Sequence, residues 1–509
     1  MLSIVAAVCL LTAQAPGPGL TARDSAFHAL NRLAYGARPG EADSVAKVGV
    51  MRWIERQLDA DHIPDSHLAE RERQFRILVL GRADLAGRYR NAVRERQRMQ
   101  RELAASGDTM PMRAAGPMRE FRELGGELQQ LAIVRATVSE RQLREVMVDF
   151  WTNHFNVFVG KGADRFLLPS YIEETIRPRA LGRFEDLLIA TARSPAMLFY
   201  LDNAQSVAPG SEPPRMRGFN PERMPPPRGI NENYARELLE LHTLGVDGGY
   251  SQQDVINVAR IFTGWSIERP ERGAGFVYRD WAHDPSDKQV LGQTFKSAGE
   301  DEGVRLLRFL ASQHATMHHV SAKLCARFVA DEPPDGCIDA AVAAWQKTRG
   351  DIRAVLRAIF TSPDFWAPQA VRVKVKTPFE FVVSAVRAAG IEPDDTPRLA
   401  QLVARLGEPL YQQPAPTGYA ETEAHWVNSG ALLARMNAAM MIAKECSSVP
   451  MLDDQSQLVD TIDAKLLGGT MSAHTRSVIL EQLTDITDPE QARVMAVGLA
   501  LGGPDFQRQ

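Results

Sequence analysis

The chain has 509 residues, of which 44% are hydrophobic and 24% charged, and its formal net charge is -4. This is an ordinary globular composition in a chain long enough for a large core and for more than one lobe. The small net charge gives no indication of binding to nucleic acid or to a membrane surface. The Arg-rich stretch 88–101 does not change this, because only Tyr89 supplies an aromatic ring there.

The first 15 residues have the features of a secretory signal peptide. An apolar run from Ile4 to Leu11 is too short to span a bilayer as a helix, and a small-x-small pattern, Ala13-Gln14-Ala15, follows it. No Lys or Arg precedes the run, which leaves open a misplaced start or an uncleaved anchor. We expect export to the periplasm or the extracellular space, with no transmembrane segment after the signal.

The cysteines bear on the redox environment of the protein. Cys9 falls within the signal, and no Cys-x-x-Cys pair is present that would favour a thiolate metal site. In an oxidising compartment Cys325 and Cys337 could form a disulfide. Unpaired thiols in the core, including that of Cys446, are equally compatible with the sequence.

Apolar residues recur at helical spacing along almost the whole chain. Strand signals are confined to one region, where short apolar runs at 276–278 and 289–291 flank a polar turn at 283–287. The sequence therefore predicts a mainly α fold. We expect a large multi-helical globular array with one small β-hairpin near residues 275–295.

The predicted organisation is a signal peptide (1–15), an N-terminal helical lobe (16–202), a flexible Pro-rich loop (203–229) and a C-terminal helical lobe (230–509), the two lobes forming one domain. The loop is too rich in Pro, Gly, Arg and Met to bury enough apolar surface to order itself. It could be a flap beside a gated site or a tolerated insertion. The tail after Gly503 is expected to fray.

The helical segment from Asn231 to Gly245 is the strongest candidate for a site. It places charged groups between large apolar residues, and buried charges must be paired or used. At about 100° per residue, Glu237 and Glu240 share one face, and Arg236 can reach Glu240 at i, i+4. His242 projects away from both carboxylates, so this helix alone cannot chelate a metal. We further expect Gly245 to end the helix with a left-handed backbone.

A second helix, carrying the motif from Trp151 to Phe158, is expected to face the first. Trp151 and His154 share one face of it, and Asp149, Asn153 and Asn156 share another. A histidine between Trp and Phe is usually a hydrogen-bonded core residue, but this density of Trp, Asn and His is less often purely structural than a lone histidine.

Three further features could contribute to a site. His283 lies on the turn of the predicted hairpin, where it could face a cleft. His314 and His318 have the i, i+4 spacing of a zinc pair but lack the Glu of zincins, so the start of a helix is the simpler explanation. The polar, aromatic loop from Pro416 to Tyr419 could close a pocket from the C-terminal side. Signatures for nucleophile elbows, P-loops, dinucleotide sites and zincins are absent.

Taken together, several short segments resemble the bacterial family catalogued as domain of unknown function 1800. The segments that carry the resemblance are Leu30–Gly36, Phe150–Asn156, Ala196–Asn203, Asn231–Gly245, Phe262–Trp265, His283–Asp284, His319–Lys323, Lys376–Pro378 and Pro416–Gly418. The family often has His-Pro where this chain has Gln313-His314-Ala315, which weakens any role for His314. The resemblance implies a helical, often exported protein that acts with a sulfatase-like protein encoded nearby. It implies no activity, cofactor or catalytic residue.

Two functions are compatible with these observations. The first is an exported enzyme, a hydrolase whose carboxylate and histidine side chains meet between the two helices, with His154 and Glu237 as acid, base or ligand. The residues predicted to take part are Glu237, Glu240, Arg236, His154, His242 and His283. The alternative is a non-catalytic secreted scaffold or binding protein acting with a separately encoded partner. The cofactor is unknown, and whether a metal is bound stays open.

Overall fold

The structure is a computed structural model that describes residues 19–106, 118–212, 229–269 and 272–509. The predicted signal peptide and residues 213–228 of the predicted Pro-rich loop lie outside these ranges. Within them the chain forms 24 α-helices and four short strands, so the prediction of a mainly α fold is confirmed. None of the described helices is long and apolar enough to cross a membrane.

The N-terminal helices are α1 (Ala22–Leu33), α2 (Glu41–Val48), α3 (Val50–Leu58), α4 (Ser66–Glu72), α5 (Arg82–Ser106), α6 (Arg119–Val138), α7 (Gln142–His154), α8 (Asp164–Ser170), α9 (Phe184–Arg193) and α10 (Pro195–Tyr200). The next elements are α11 (Asn233–Glu237), α12 (Gln252–Ile261), β1 (Trp265–Ile267), β2 (Phe276–Tyr278), β3 (Lys288–Val290), β4 (Gln293–Phe295), α13 (Glu300–Ala311) and α14 (His314–Phe328).

The C-terminal helices are α15 (Asp335–Thr348), α16 (Ile352–Thr361), α17 (Pro378–Ala388), α18 (Arg398–Arg405), α19 (Glu423–Trp426), α20 (Ser429–Lys444), α21 (Gln455–Leu466), α22 (Ala473–Leu483), α23 (Pro489–Gly502) and α24 (Pro504–Gln507). Two segments are π-helical, Tyr171–Ile176 and Leu238–His242. Short 3-10 turns occur at Ala60–His62, Arg76–Leu78, Arg177–Arg179, Asn203–Gln205, Asp280–Ala282 and Pro368–Ala370.

The strands form two separate antiparallel pairs. β2 pairs with β1, with Phe276 opposite Ile267, and β3 pairs with β4, with Val290 opposite Gln293. A small β element near 275–295 is therefore present, but the predicted pairing of 276–278 with 289–291 is wrong. Each strand pairs with its nearest partner in the chain, since a short connection closes a hairpin with little loss of entropy.

The core runs without interruption from α1 to α24 and includes helices from both predicted lobes. Buried arginines join the two parts of the chain. Arg32 of α1 donates to the carbonyl of Ala370 at 2.7 Å, and Arg387 of α17 donates to the carbonyl of Thr137 at 2.8 Å. α7 lies inside this core, where Trp151 is fully buried and its indole N–H donates to the carbonyl of Ala180.

Gly245 follows the 238–242 segment with a φ of +86°, as predicted for a left-handed position. A side chain here would be strained, and its Cβ would lie 3.0 Å from Nδ1 of His319.

The C-terminal tail is anchored, so the prediction that it frays after Gly503 is wrong. The backbone of Gln509 exchanges hydrogen bonds with that of Lys374, and its side-chain amide donates to Glu380 at 3.0 Å. Gln509 is only 3% exposed. Because these bonds satisfy buried polar groups, the last residues form part of the packed interior.

Cys325 of α14 and Cys337 of α15 form a disulfide, which settles the alternatives that the sequence left open, and Cys446 is a free, buried thiol. The bridge closes a short loop and should stabilise the fold by about 3 kcal/mol. Replacing both cysteines by serine is therefore expected to lower the melting temperature, whereas Cys446→Ser, the control, removes no cross-link. An unchanged melting temperature after treatment with dithiothreitol would contradict this expectation.

Candidate functional site

α7 presents different chemistry on two of its faces. Asp149 and Asn153 lie four residues apart on one face, and Trp151 and His154 lie on another. The structure places a cavity against the first face and a cluster of histidines against the second. One rigid, buried helix therefore carries two groups of ionisable residues.

The cavity beside Asp149, here called the carboxyl cavity, is lined by polar side chains from distant parts of the chain. Those that define it are Asp149, Asn153, Arg327, Glu380, Glu408 and Tyr419. Its volume is about 40 Å3. Since a water molecule needs roughly 10–15 Å3 of such space, the cavity has room for about three waters.

Two carboxyl groups of this cavity titrate near neutral pH. Burial is the main cause that raises the pKa of Asp149 to about 7; Arg327 opposes the rise and the charge of Glu421 adds to it. Burial and then the charge of Asp149 raise the pKa of Glu408 to about 8, although the backbone N–H of Phe379 donates to this carboxyl at 2.8 Å. Carboxyls in this range can exchange protons at neutral pH.

A buried ion pair forms another wall of the cavity. The guanidinium of Arg327 on α14 binds the carboxylate of Glu380, which also caps the start of α17 by accepting from the N–H of Thr377. Burial alone would raise the pKa of Glu380, but Arg327, Thr377 and Gln509 together hold it below its ordinary value. The anchored tail thus supports the ionised form of a carboxylate in the cavity.

Two asparagines of the α7 region fix the loop that closes the cavity. The side chain of Asn153 exchanges hydrogen bonds of 2.7 and 2.8 Å with the backbone of Tyr419, and Asn156 donates to the carbonyl of Ala415 at 2.8 Å. Gly418 has a φ of +73°, and a Cβ there would lie 2.5 Å from the carbonyl oxygen of Asn153. Glycine is therefore required for this close approach.

Tyr411 lies between the carboxyl cavity and a second small cavity that contains Arg135, Arg177 and Glu145. Its φ is +63°, and its backbone carbonyl accepts from the N–H of Val159 at 3.0 Å. Burial raises the pKa of its hydroxyl well above the ordinary value, and the charge of Asp149 adds to this. The phenol is therefore neutral and close to Asp149.

On the other face of α7, His154 meets His242, whereas the sequence predicted that His154 would meet Glu237. Nε2 of His154 lies 3.3 Å from the carbonyl oxygen of His242, and its Nδ1 lies 3.0 Å from Nζ of Lys323. A carbonyl only accepts, so Nε2 of His154 carries the proton and Nδ1 accepts from Lys323. The ring of His319 lies 6.4 Å from that of His154.

The histidines of this cluster are held in the neutral form. Burial, followed by the charge of Lys323, moves the pKa of His154 well below its usual value and that of His242 to about 3. Burial also lowers the pKa of Lys323. Nε2 of His242 is buried and has no hydrogen-bond partner in the part of the chain that the structure describes. In these described ranges, no group of three or more His, Cys, Asp or Glu is placed to hold a metal ion.

The predicted acidic face lies elsewhere, at a half-buried position. Burial, with the charge of Glu240, raises the pKa of Glu237. Burial also raises the pKa of the Tyr200 hydroxyl, and the charge of Glu237 adds to that rise. Arg236 bonds Glu232 at 3.3 Å and Gln252 at 3.1 Å, so the predicted pairing of Arg236 with Glu240 is wrong.

There are two physical reasons for that difference. Helical side chains lean toward the N-terminus, which favours contact with the residue four positions earlier. In addition, the helix changes to π-helical geometry after Glu237, where the hydroxyl of Thr243 bonds the carbonyl of Leu238 at 2.6 Å. The spacing of 100° per residue therefore does not extend to Glu240 and His242.

His283 belongs to a third, separate cluster. Its Nδ1 lies 3.0 Å from the carbonyl oxygen of Thr263 and its Nε2 lies 3.1 Å from Glu302. The same Glu302 oxygen bonds Nζ of Lys288 at 3.1 Å, and neither Glu302 nor Lys288 has an exposed side chain. His283 thus connects Thr263, which precedes β1, to Glu302 of α13 in the interior instead of facing a cleft.

Sequence reasoning did not select Asp149, Glu408, Arg327 or Lys323 as functional residues. The shared face of Asp149 with Asn153 was a usable signal, because three polar groups on one side of a buried helix need partners. For Glu408 no signal was available, since its role depends on a fold that brings residues 149 and 408 together.

Comparison with known proteins adds a family. The family model described as protein of unknown function (DUF1800) matches residues 28–508, nearly the whole chain. No curated protein and no solved structure matches the chain significantly.

Proposed function

This chain belongs to the DUF1800 family, and we propose that it is an exported hydrolase that uses Asp149 and Glu408 for general acid–base catalysis. A single observation carries the proposal. Two carboxyl groups with pKa values of about 7 and about 8 line one cavity with room for water. A pair of carboxyls whose environments place both near neutral pH is a common basis for acid–base chemistry.

Each carboxyl has a distinct role in this proposal. Between their two pKa values Asp149 is ionised and can take a proton from an attacking water, while Glu408 holds a proton that it can give to a leaving group. Arg327 lies beside both and can stabilise negative charge that develops in the reaction. Asn153 holds Tyr419 at the edge of the carboxyl cavity. On the opposite face of α7, the contact between His154 and Lys323 helps to hold the helix in place.

The apolar N-terminal segment supports the export part of the proposal, and so does the disulfide. A bridge between Cys325 and Cys337 persists in oxidising compartments and is rare in the cytosol.

A second candidate function is a secreted scaffold that acts with a sulfatase-like partner encoded nearby. The observation that favours it is that several buried charges are already paired. Arg135 binds both Glu72 and Glu173, and Arg177 binds Glu145 through two hydrogen bonds. Such pairs can specify how helices pack without taking part in catalysis.

The experiment compares the full mature chain with Asp149→Asn, Glu408→Gln and Glu237→Gln on a panel of chromogenic glycosides, esters and amides. Loss of general acid or base catalysis is expected to reduce kcat by about 100-fold or more in the first two variants. The rate of the parent protein should be bell-shaped in pH, with limbs near 7 and 8, as the pair titrates.

Glu237→Gln tests the earlier prediction in the same assay. Activity that survives Asp149→Asn but is lost in Glu237→Gln would place the site on α11 instead. A parent protein that hydrolyses no member of the panel would favour the scaffold.

A further inference from the structure

A larger groove lies on the other side of Tyr411. This outer groove is formed by residues 119–129 of α6, the loop 159–165 and the stretch 397–412, and its volume is about 590 Å3. Ligand pockets typically have volumes of about 300–1,000 Å3. Tyr411 borders the outer groove, the carboxyl cavity and the second cavity. Tyr411 therefore separates the groove from the carboxyl cavity, and a molecule in the groove reaches Asp149 only when this side chain moves aside.

The groove combines positive charge with amides and aromatic rings. Its charged side chains are Arg119, Arg122, Arg165 and Glu123, and Arg119 and Glu123 pair with each other at 2.7 Å, which leaves the groove a net positive charge. Its amides are those of Gln129, Gln401 and Gln412, and its rings are those of Phe121 and Tyr411. Guanidinium groups bind carboxylates through paired hydrogen bonds, and amides both donate to and accept from hydroxyls. Flat aromatic faces add apolar surface against which a ring can pack.

Two adjacent glycines of α6 line the same groove. Gly125 and Gly126 lie in the interior of the helix, where glycine is unfavourable, and neither has a left-handed backbone that would require it. A Cβ on Gly125 would meet no atom within 4 Å, and one on Gly126 would make only ordinary contact with Pro397 at 3.5 Å. Packing within the described part of the chain therefore does not explain the pair. Close approach of a ligand to the helix backbone would explain it.

We propose that the outer groove binds an acidic oligosaccharide, a chain of sugar rings that carries carboxylates. The arginines match the carboxylates, the glutamines match the hydroxyls, and the bare backbone at Gly125 gives room for a ring. This names a substrate class for the proposed hydrolase and so rests on that function. Binding itself, however, needs neither Asp149 nor Glu408 and can be measured separately.

The test is isothermal titration calorimetry on the full mature chain carrying Asp149→Asn, so that no turnover occurs. The probes are the trimers of galacturonic acid and of mannuronic acid, with the neutral trimer of galactose and inorganic phosphate as controls. At least one acidic trimer is expected to bind at least tenfold more tightly than the galactose trimer and phosphate. Failure of both acidic trimers to do so overturns the proposal.

Matched glycine variants locate the binding. Gly87 of α5 is likewise inside a helix, and a Cβ there would also meet nothing within 4 Å, but it does not line the groove. Gly125→Ala and Gly87→Ala are both expected to raise the melting temperature, because alanine favours the helix. Only Gly125→Ala should weaken binding of the acidic trimer, by about tenfold. Equal affinity in the two variants would overturn the assignment to this groove.

The outcomes separate this inference from the proposed function. Tight binding of the acidic trimers without hydrolysis by the parent protein would uphold the groove and remove the catalytic role of the carboxyl cavity. Hydrolysis that depends on Asp149, with no preference for acidic trimers, would uphold catalysis and overturn the substrate class.

Discussion

Replacing Arg327 with methionine is expected to lower the free energy of unfolding by about 3–5 kcal/mol. Arg327 is 3% exposed, and it pairs with the equally buried carboxylate of Glu380. Methionine would leave that carboxylate without its cation, in a cavity that also contains Asp149 and Glu408. A buried carboxylate without a partner must stay charged at high cost or take up a proton.

Urea unfolding at neutral pH measures this loss, and an exposed pair provides the matched control. Arg357 binds Glu55 through two hydrogen bonds at the surface, so Arg357→Met should cost less than about 1 kcal/mol. The double variant Arg327→Met/Glu380→Gln should lose less than the sum of its single changes. Equal losses of stability in Arg327→Met and Arg357→Met would show that the buried pair stabilises the protein no more than the exposed pair does.

The effect of Arg327→Met should also depend on pH. The pKa of Glu380 is below its ordinary value of 4.5 in the folded state. The stabilisation by its ionised form is therefore present above that value and is lost as the pH falls through the folded pKa. The difference in free energy of unfolding between the parent protein and Arg327→Met should therefore become smaller in acid.

The double variant Asp149→Asn/Glu408→Gln is expected to be more stable than the parent protein at pH 8, by on the order of 4 kcal/mol. In the folded state the two pKa values are raised to about 7 and about 8 from 3.8 and 4.5. Above about pH 4 the unfolded chain loses these protons while the folded protein keeps them, so the stability of the parent protein falls as the pH rises. Neutral amides do not carry this cost. The full shifts would correspond to a larger value, but cavity water and the coupling of the two groups reduce it.

Thermal and urea unfolding at pH 4, 6 and 8 measure this prediction. The advantage of the double variant should be smallest at pH 4, where the unfolded chain still holds about half of these protons, and should stop growing above about pH 8. Asp186→Asn, at a position on α9 remote from the cavity, serves as a control for the loss of one surface charge. A constant difference across the pH range would mean that the two carboxyls keep ordinary pKa values. Gain of stability on removal of reacting groups is a common property of active sites.

The sequence was a sufficient guide to the fold class and to α7 as a helix that carries polar groups on two faces. Helical periodicity is a strong signal over long segments, and it also placed Asp149 and His154 on different faces of α7. The sequence predicted that His154 meets the segment 231–245, but it named Glu237 as the partner, and the structure brings His242 there instead. The capping box of Ser251 with Asp254 depends only on local hydrogen bonds, and a sequence pattern of this kind can be recognised without knowledge of the fold.

Other features depend on contacts that no local pattern contains. The π-helical turn after Glu237 redirects Glu240 and His242, and a sequence has no reliable signal for such a turn. Glu408 gains its raised pKa from burial against α7 and from the charge of Asp149, which lies far away in the chain. The tail was expected to fray because its residues are polar, but Gln509 finds its partner in the buried Glu380.

The backbone of Tyr411 has a further consequence. A left-handed φ of +63° costs an L-residue roughly 1–2 kcal/mol, whereas glycine adopts it freely. Glycine at this position would relax the main chain and, in the same step, delete the partition between the outer groove and the inner cavities. The groove and the two cavities would then form one continuous space. A substitution at position 411 would thus remove backbone strain and the wall between these three spaces together.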